Sequence, residues 1–370
     1  GAILLAAAVP AAASEPMRAP ADGNSAADSS GAKAAANAWA LAEVGAAALG
    51  DPRRTGRVAT VLSDLAARPG DGIPAACATP ADTKGAYRLL ANEAIAADEI
   101  VDAHIAATAE RVRGTAAILA VQDTTALDFS AHPALAGAGP LAHPAQHGLW
   151  VHSVLATTLA GVPLGLLHQH RWARDPVIVG TRATRRQRPT AEKESQRWLD
   201  AQTATQAVVP AATQVITVAD READIYDLFA LERPPHTDLL IRATHNRGIA
   251  AEAHLLWDAV TSAPVGDVVP VAVGRRADRA PREAVLTLRW VPVTLLPPRN
   301  RPQRARLAPV PLVAILAEEP APPPGETAIR WLLLTTLPVA TGEAALDCVR
   351  WYAQRWLVER YHYALARGEY

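Results

Sequence analysis

Three acidic residues stand where the apolar runs of the chain would carry them to one place. The run ILAVQDTTALDF, residues 118–129, reads as a strand that brings Asp123 to its end, with Thr124 and Thr125 behind it. A second strand, in QVITVADREADIYDLF (214–229), delivers Asp220, with Glu222 and Asp224 as competing acids in the same turn. Glu359 lies in WYAQRWLVERYHY near the C-terminus, where helical spacing sets Arg355, Glu359 and Tyr363 on one face. Phosphoryl transfer on nucleic acid is served by two divalent ions about 4 Å apart, one for the attacking and one for the leaving oxygen. Magnesium takes hard oxygen ligands and keeps part of its water shell, so a few carboxylates suffice if they converge. The pattern predicts one site in which Asp123 bridges two Mg2+ ions while Asp220 and Glu359 each complete one, with Mn2+ able to substitute. The competing structural account is that each acid caps a helix or lies on a solvated face. His152, His168 and His170 fall on strands beside Asp123. They match no zinc spacing, and metal ligation, phosphate contact and packing are all open to them.

The elements that must position these acids change character along the chain. Residues 37–113 read as helices: 39–50, then one from Asp51 through Ala67 with Asp51 as cap and Pro52 first, then 79–92 and 97–111. Arg53 and Arg54 sit at the second helix start, and Lys84 and Arg88 lie four apart on the third. This section is either a DNA-binding domain or a plain bundle with a solvated basic face. From Ile118 the period changes to three successive strands, with a turn at 161–163. A basic stretch with Arg182, Arg185, Arg186 and Arg188 leads into a helix from Ala191, with Lys193 and Glu194 on its surface and Trp198 inward. Strand, helix and strand follow through residue 247, giving a mixed α/β sheet. Residues 262–326 are rich in valine and proline and read as antiparallel strands, with nine arginines between Arg275 and Arg306. The strand at AIRWLLLTTLP follows, then one helix or two over 341–366.

Composition bounds the class. The chain has 370 residues, 50% of them hydrophobic, and a formal net charge of −1. It is long enough for two or three globular domains. Only Lys33, Lys84 and Lys193 are lysines, so the cations are mostly arginine, whose planar fork suits phosphate. Cys77 and Cys348 are the only cysteines, which predicts neither a disulfide scaffold nor a cysteine zinc site and suits a reducing compartment. The opening GAILLAAAVPAAAS resembles the end of a signal peptide without a basic start. Met17 is the sole methionine, so translation is expected to begin there, with residues 1–16 read through from upstream and 17–36 loosely ordered; residues 1–36 are thus a disordered or wrongly included leader. No other stretch suits a membrane span, and no glycine-rich nucleotide loop points to a metabolic enzyme.

DTT (123–125), WVHSVL (150–155), GLLHQ (165–169), EKES.RW (192–198), DREADIYD (220–227) and WLLLT (331–335) together resemble the bacterial Asp-Asp-Glu cut-and-paste transposases of the insertion-sequence family 4 type. The terminal signature of that family, Tyr, two residues, Arg, three residues, Glu, is matched by Tyr352, Arg355 and Glu359. The family's lysine position falls on Ala366, with Arg367 beside it. The GDPRRT and K.AYR.L.N patterns are similar to the family's DNA-binding domain. The resemblance spans residues 37–368. It implies an RNase H-like mixed-sheet core (114–261 and 327–370), a β-rich insertion (262–326) and an N-terminal helical domain (37–113) that binds transposon ends. It implies Asp123, Asp220 and Glu359 as metal ligands, and Arg242, Tyr352 and Arg355 as phosphate contacts. Trp331 would stack on a flipped base. The implied partners are double-stranded DNA with terminal inverted repeats and target DNA, in a synaptic homodimer in the bacterial cytoplasm. The family continues past the position of Tyr370 into a dimerising helical section, so a truncated copy is expected. Two alternatives share this fold: an inactive remnant that binds DNA, and a metal-dependent nuclease.

Overall fold

The computed structural model describes residues 37–132, 134–143, 145–176, 190–274, 281–299, 301 and 304–367. The leader, the arginines at 182–188, and Arg275, Arg276 and Arg279 lie outside the described residues.

Helices open the described chain. Helix α1 (residues 37–44) is shorter than the expected 39–50: the chain leaves it at Gly45 and turns at Gly50, whose φ of 73° suits glycine. Helix α2 (Pro52–Ala67) starts as its sequence dictates, with the Asp51 side chain accepting the Arg53 amide at 2.8 Å and Pro52 in the first turn. A single turn, α3 (Ile73–Ala76), was not expected from the sequence. Helix α4 (Pro80–Leu90) is capped by Thr79, and α5 (Ala97–Val112) follows. Their apolar stripes meet in one core with Val44, Val58, Leu62, Leu89 and Ile100.

The strands form one mixed sheet. β1 (Ala117–Asp128), β3 (His147–Thr158) and β4 (Pro163–Trp172) are antiparallel neighbours, and β2 (Gly139–Pro140) adds to the start of β3. On the other side of β1, β5 (Gln214–Ala219) and β6 (Thr237–Arg242) run parallel to it. Helix α6 (Gln196–Val208) and the short α7 (Tyr226–Ala230) flank β5 in sequence. Helix α6 begins later than expected, so Lys193 and Glu194 lie in the turn before it, and Glu194 pairs with Arg174. Trp198 is buried, as its apolar ring requires. Helix α8 (Leu256–Ser262) was missed; the strands of the insertion, β7 (Asp267–Val273), β8 (Arg282–Leu295) and β9 (Val310–Glu318), are antiparallel as read. They continue the core sheet: β10 (Arg330–Thr335) pairs with β6 on one edge and β9 on the other.

Side-chain alternation gives the sheet two faces. Leu119, Val121, Val218 and Leu240 pack with the C-terminal helices α9 (Gly342–Ala353) and α10 (Trp356–Arg367). On the opposite face Ile118 and Ala120 meet Ala201 of α6, and Ala219 and Leu239 meet Trp198. The C-terminal stretch is thus two helices, and Arg355 sits in the break directly before α10, from which its side chain still meets Glu359 four residues on. No helix among the described residues is long and apolar enough to cross a membrane.

Candidate active site and nucleic-acid interface

Asp123 has the parity of Leu119 and Val121, so its carboxylate faces α10. The parallel register pairs Val121 with Val218, and two residues further on Asp220 leaves β5 beside Asp123 on the same face. Arg355 completes the constellation. Its guanidinium donates to Asp123 Oδ2 at 3.3 Å and to Glu359 Oε1, so one cation bridges the first and third acids. The Thr124 amide donates to Asp123 Oδ1 at 2.8 Å. Burial raises the Asp123 carboxyl; Arg355 and the Thr124 amide oppose this, and the charges of Asp220 and Glu359 add to it, leaving it at about 6. Two of the three carboxylates thus share the Arg355 cation, while Asp220 adds its charge to Asp123 from beside them. Among the described residues, no three His, Cys, Asp or Glu side chains stand close enough to hold a metal ion as they are.

The competitors of Asp220 are engaged elsewhere. Asp224 is buried and accepts from the Thr244 and His245 amides and from Arg247. Glu222 pairs with Arg197. Asp220 itself caps the turn that follows it, accepting the Glu222 amide at 2.8 Å, so one carboxylate oxygen has a structural duty.

The histidines are not a metal cluster. His152 is buried behind β1 in a directional chain. Arg197, which can only donate, gives Nε–H to Thr124 Oγ1 at 2.8 Å; Thr124 is then left to donate to His152 Nδ1 at 2.8 Å. Nε2 faces Gln122 Oε1 at 3.4 Å, and Gln202 takes bonds from Gln122 and Thr217. Burial and the nearby Arg197 charge hold His152 well below the usual imidazole range, matching the neutral ring this chain requires. His168 and His170 lie on β4, His170 stacked on Trp172. Arg197, which the sequence reading missed, anchors this chain and lies 5.4 Å from the Trp198 ring; only the RW pair within EKES.RW marked it.

The other expected contacts divide. Arg53, Lys84 and Arg88 are exposed, and exposed Tyr87 lies between the last two. Arg54 turns back to the Leu49 carbonyl at 2.9 Å. Trp331 is half-buried, edge-on to a buried Tyr352 at 5.1 Å. Arg242 donates to the Arg330 carbonyl at 3.3 Å at the end of β6. Ala366 packs against the core that holds Tyr352 and Tyr361.

Residues 36–95, the region of α1 to α4, match the family described as transposase DNA-binding. The N-terminal helices are of a transposase DNA-binding type. Among solved structures the chain is similar to a piggyBac transposase in a synaptic complex with hairpin DNA. The identity is 9% and the TM-score 0.34, over 71% of this chain and 43% of that one. The chain therefore spans less than half the length of that transposase.

Proposed function

We propose that this chain is a DNA transposase that cleaves and joins strands at transposon ends, with Asp123, Asp220 and Glu359 at the reaction centre. The observation that carries the reading is the Arg355 bridge between Asp123 and Glu359, acids remote in sequence, with Asp220 in register beside them. The strand order β4-β3-β1-β5-β6, three antiparallel and two parallel, supports an RNase H-like core. The donor set fits Mg2+ or Mn2+: hard oxygens only, with more negative charge than Arg355 balances. When bound, such ions supply Lewis acidity to attacking and leaving oxygens. Asp123, Asp220 and Glu359 would hold them. The chain itself orients Asp123 through the Thr124 amide and the Arg197–Thr124–His152 chain behind it, and offers Arg355 as a cation to the strand. The N-terminal domain would bring Arg53, Lys84 and Arg88 to double-stranded DNA at the terminal repeats, in a homodimer that pairs two ends and then engages target DNA.

One observation favours a second reading. Ala366 packs inward where the family resembled by the sequence carries a lysine, so the chain would bind ends without cutting them. A single assay separates the two. Duplex carrying the inverted repeats that flank the gene is incubated with magnesium and either the unchanged chain or Asp220→Asn. Cleavage by the unchanged chain alone supports the transposase. Binding without cleavage by both leaves the non-cutting reading.

A further inference from the structure

The C-terminal ends of β5 and β6 and the start of β10 enclose a cavity of about 230 Å³ lined by Arg221, Arg242, Thr244, Trp257 and Arg330, with Ala243 and Leu332 as its buried floor. The floor is rigid: the Ala243 amide donates to the Leu332 carbonyl at 2.8 Å, joining β6 to β10. The Arg330 guanidinium lies 4.6 Å from the centre of the Trp257 ring, and its Nε reaches Glu318 at 2.9 Å. Trp257 is itself fixed, because the Asn246 side chain caps its amide at 3.0 Å. Of the three arginines only Arg330 meets a carboxylate among the described residues. The cleft is smaller than the roughly 300–1,000 Å³ of sites for drug-sized ligands, so it suits one small anionic group. Guanidinium forks match phosphate oxygens in plane and spacing. Open α/β sheets bind ligands outside the carboxyl ends of parallel strands, which is where this cleft lies.

We propose that this cleft is a phosphate subsite for a DNA strand, in which Arg221, Arg242 and Arg330 clasp one backbone phosphate next to Asp220 while Trp257 acts as the positioning residue for Arg330. The inference rests on the reading of the chain as a DNA-processing protein and assigns to it a contact beyond the acids. The sequence marked Arg242 alone; the cavity adds Arg221, Arg330 and the ring that holds the latter.

The test reads binding without cleavage. The full chain, in chelator, is titrated with a fluorescent short oligothymidine over a range of salt. Arg221→Gln with Arg330→Gln is expected to weaken binding roughly tenfold or more. It should also lower the slope of log affinity against log salt by about 0.7, the value for one phosphate of a single strand. Arg113→Gln, which removes one guanidinium at an exposed helix end away from the cleft, should change neither. Trp257→Leu should weaken binding and Trp257→Phe restore it, whereas a merely structural tryptophan would give both variants the strand affinity of the unchanged chain. Melting curves identify any variant that misfolds; Arg330→Lys, which keeps the charge and loses the fork, then takes its place and should also bind more weakly. An affinity and slope unchanged in the double arginine variant would overturn the subsite. So would inorganic phosphate that occupies the cleft without competing with the oligothymidine. Asp220→Asn keeps the two proposals apart: if it cleaves normally while the arginine variant binds weakly, the catalytic reading fails and the subsite stands.

Discussion

Two arginine–carboxylate constellations in this chain use the same chemistry to opposite ends. At the junction of the helical section with the sheet, Glu43 of α1 is buried against α5. Arg111 grips both its oxygens, and His104 Nδ1 donates to it at 2.7 Å because His104 Nε2 is committed to accepting the Leu166 amide. Arg111 Nε donates to the Leu164 carbonyl at 2.6 Å, tying α1 and α5 to β4. Gly165 allows this approach: a Cβ there would lie 2.2 Å from Thr108 Oγ1. Burial pushes the Glu43 carboxyl up, but the hydrogen bond from His104 and the charge and bonds of Arg111 outweigh it and hold the group below its usual range. At the sheet end the ratio is reversed: Asp123 and Glu359 divide the one Arg355 guanidinium, and burial, with the charges of Asp220 and Glu359 added, pushes Asp123 up to about 6. A carboxylate matched by its donors belongs to the fold; one left in excess of them is poised for an added cation.

The largest effect should separate the two directly. Asp123→Asn is expected to lower strand cleavage by about a thousandfold or more, since a lost cation ligand removes several kcal/mol of transition-state stabilisation. Its chemical denaturation midpoint should not fall, because the substitution relieves repulsion from Asp220 and Glu359. Glu43→Ala should do the reverse, costing about 3 to 4 kcal/mol of stability by leaving His104 and Arg111 unmatched. If Asp123→Asn proved as destabilising as Glu43→Ala, the acid site would be a structural clasp and the contrast would collapse.

A third effect sharpens the role of burial alone. His362 on α10 is buried and its Nε2 has no hydrogen-bond partner among the described residues, and burial lowers its imidazole to about 4. With a depressed folded value, the stability is fully present above the unfolded value of about 6.5 and is lost as pH falls toward 4. The loss from this group is about 3 kcal/mol. Denaturation at pH 7 and pH 4.5 should show that slope, and His362→Leu should flatten it.

How much of this was legible in the sequence depends on what each feature needed. Asp123 was readable because an apolar run makes a strand and alternation fixes its face. Asp51 with Pro52 was readable because capping is local. The break at Gln354 and Arg355 stayed open between one helix and two: Val349, Tyr352, Val358 and Tyr361 keep apolar spacing across it, so periodicity alone cannot place it. Nor could the sequence choose between Asp220 and Asp224. The choice is made by Thr244, His245 and Arg247, which come to Asp224 only once β6 has folded beside β5. The extension of the sheet through β10 was hidden for the same reason, since a strand's pattern reports its faces and not its edge partners.

The smallest effect tests whether the excess charge is a cation site at all. A divalent ion that binds only the folded chain stabilises it by RT ln(1 + [L]/Kd), about 1.4 kcal/mol at ten times its dissociation constant. Magnesium should therefore raise the melting temperature of the unchanged chain by a few degrees at pH 7. Below about pH 6 the ion must displace a proton from Asp123, so its affinity should fall up to tenfold per pH unit there. Asp220→Asn should abolish the shift, whereas in Glu43→Ala the starting stability drops but the magnesium increment persists. An increment of equal size in both variants would mean that magnesium binds away from these acids. The raised Asp123 carboxyl would then mark only the cost of burying it beneath α10, with the neighbouring acids adding to it.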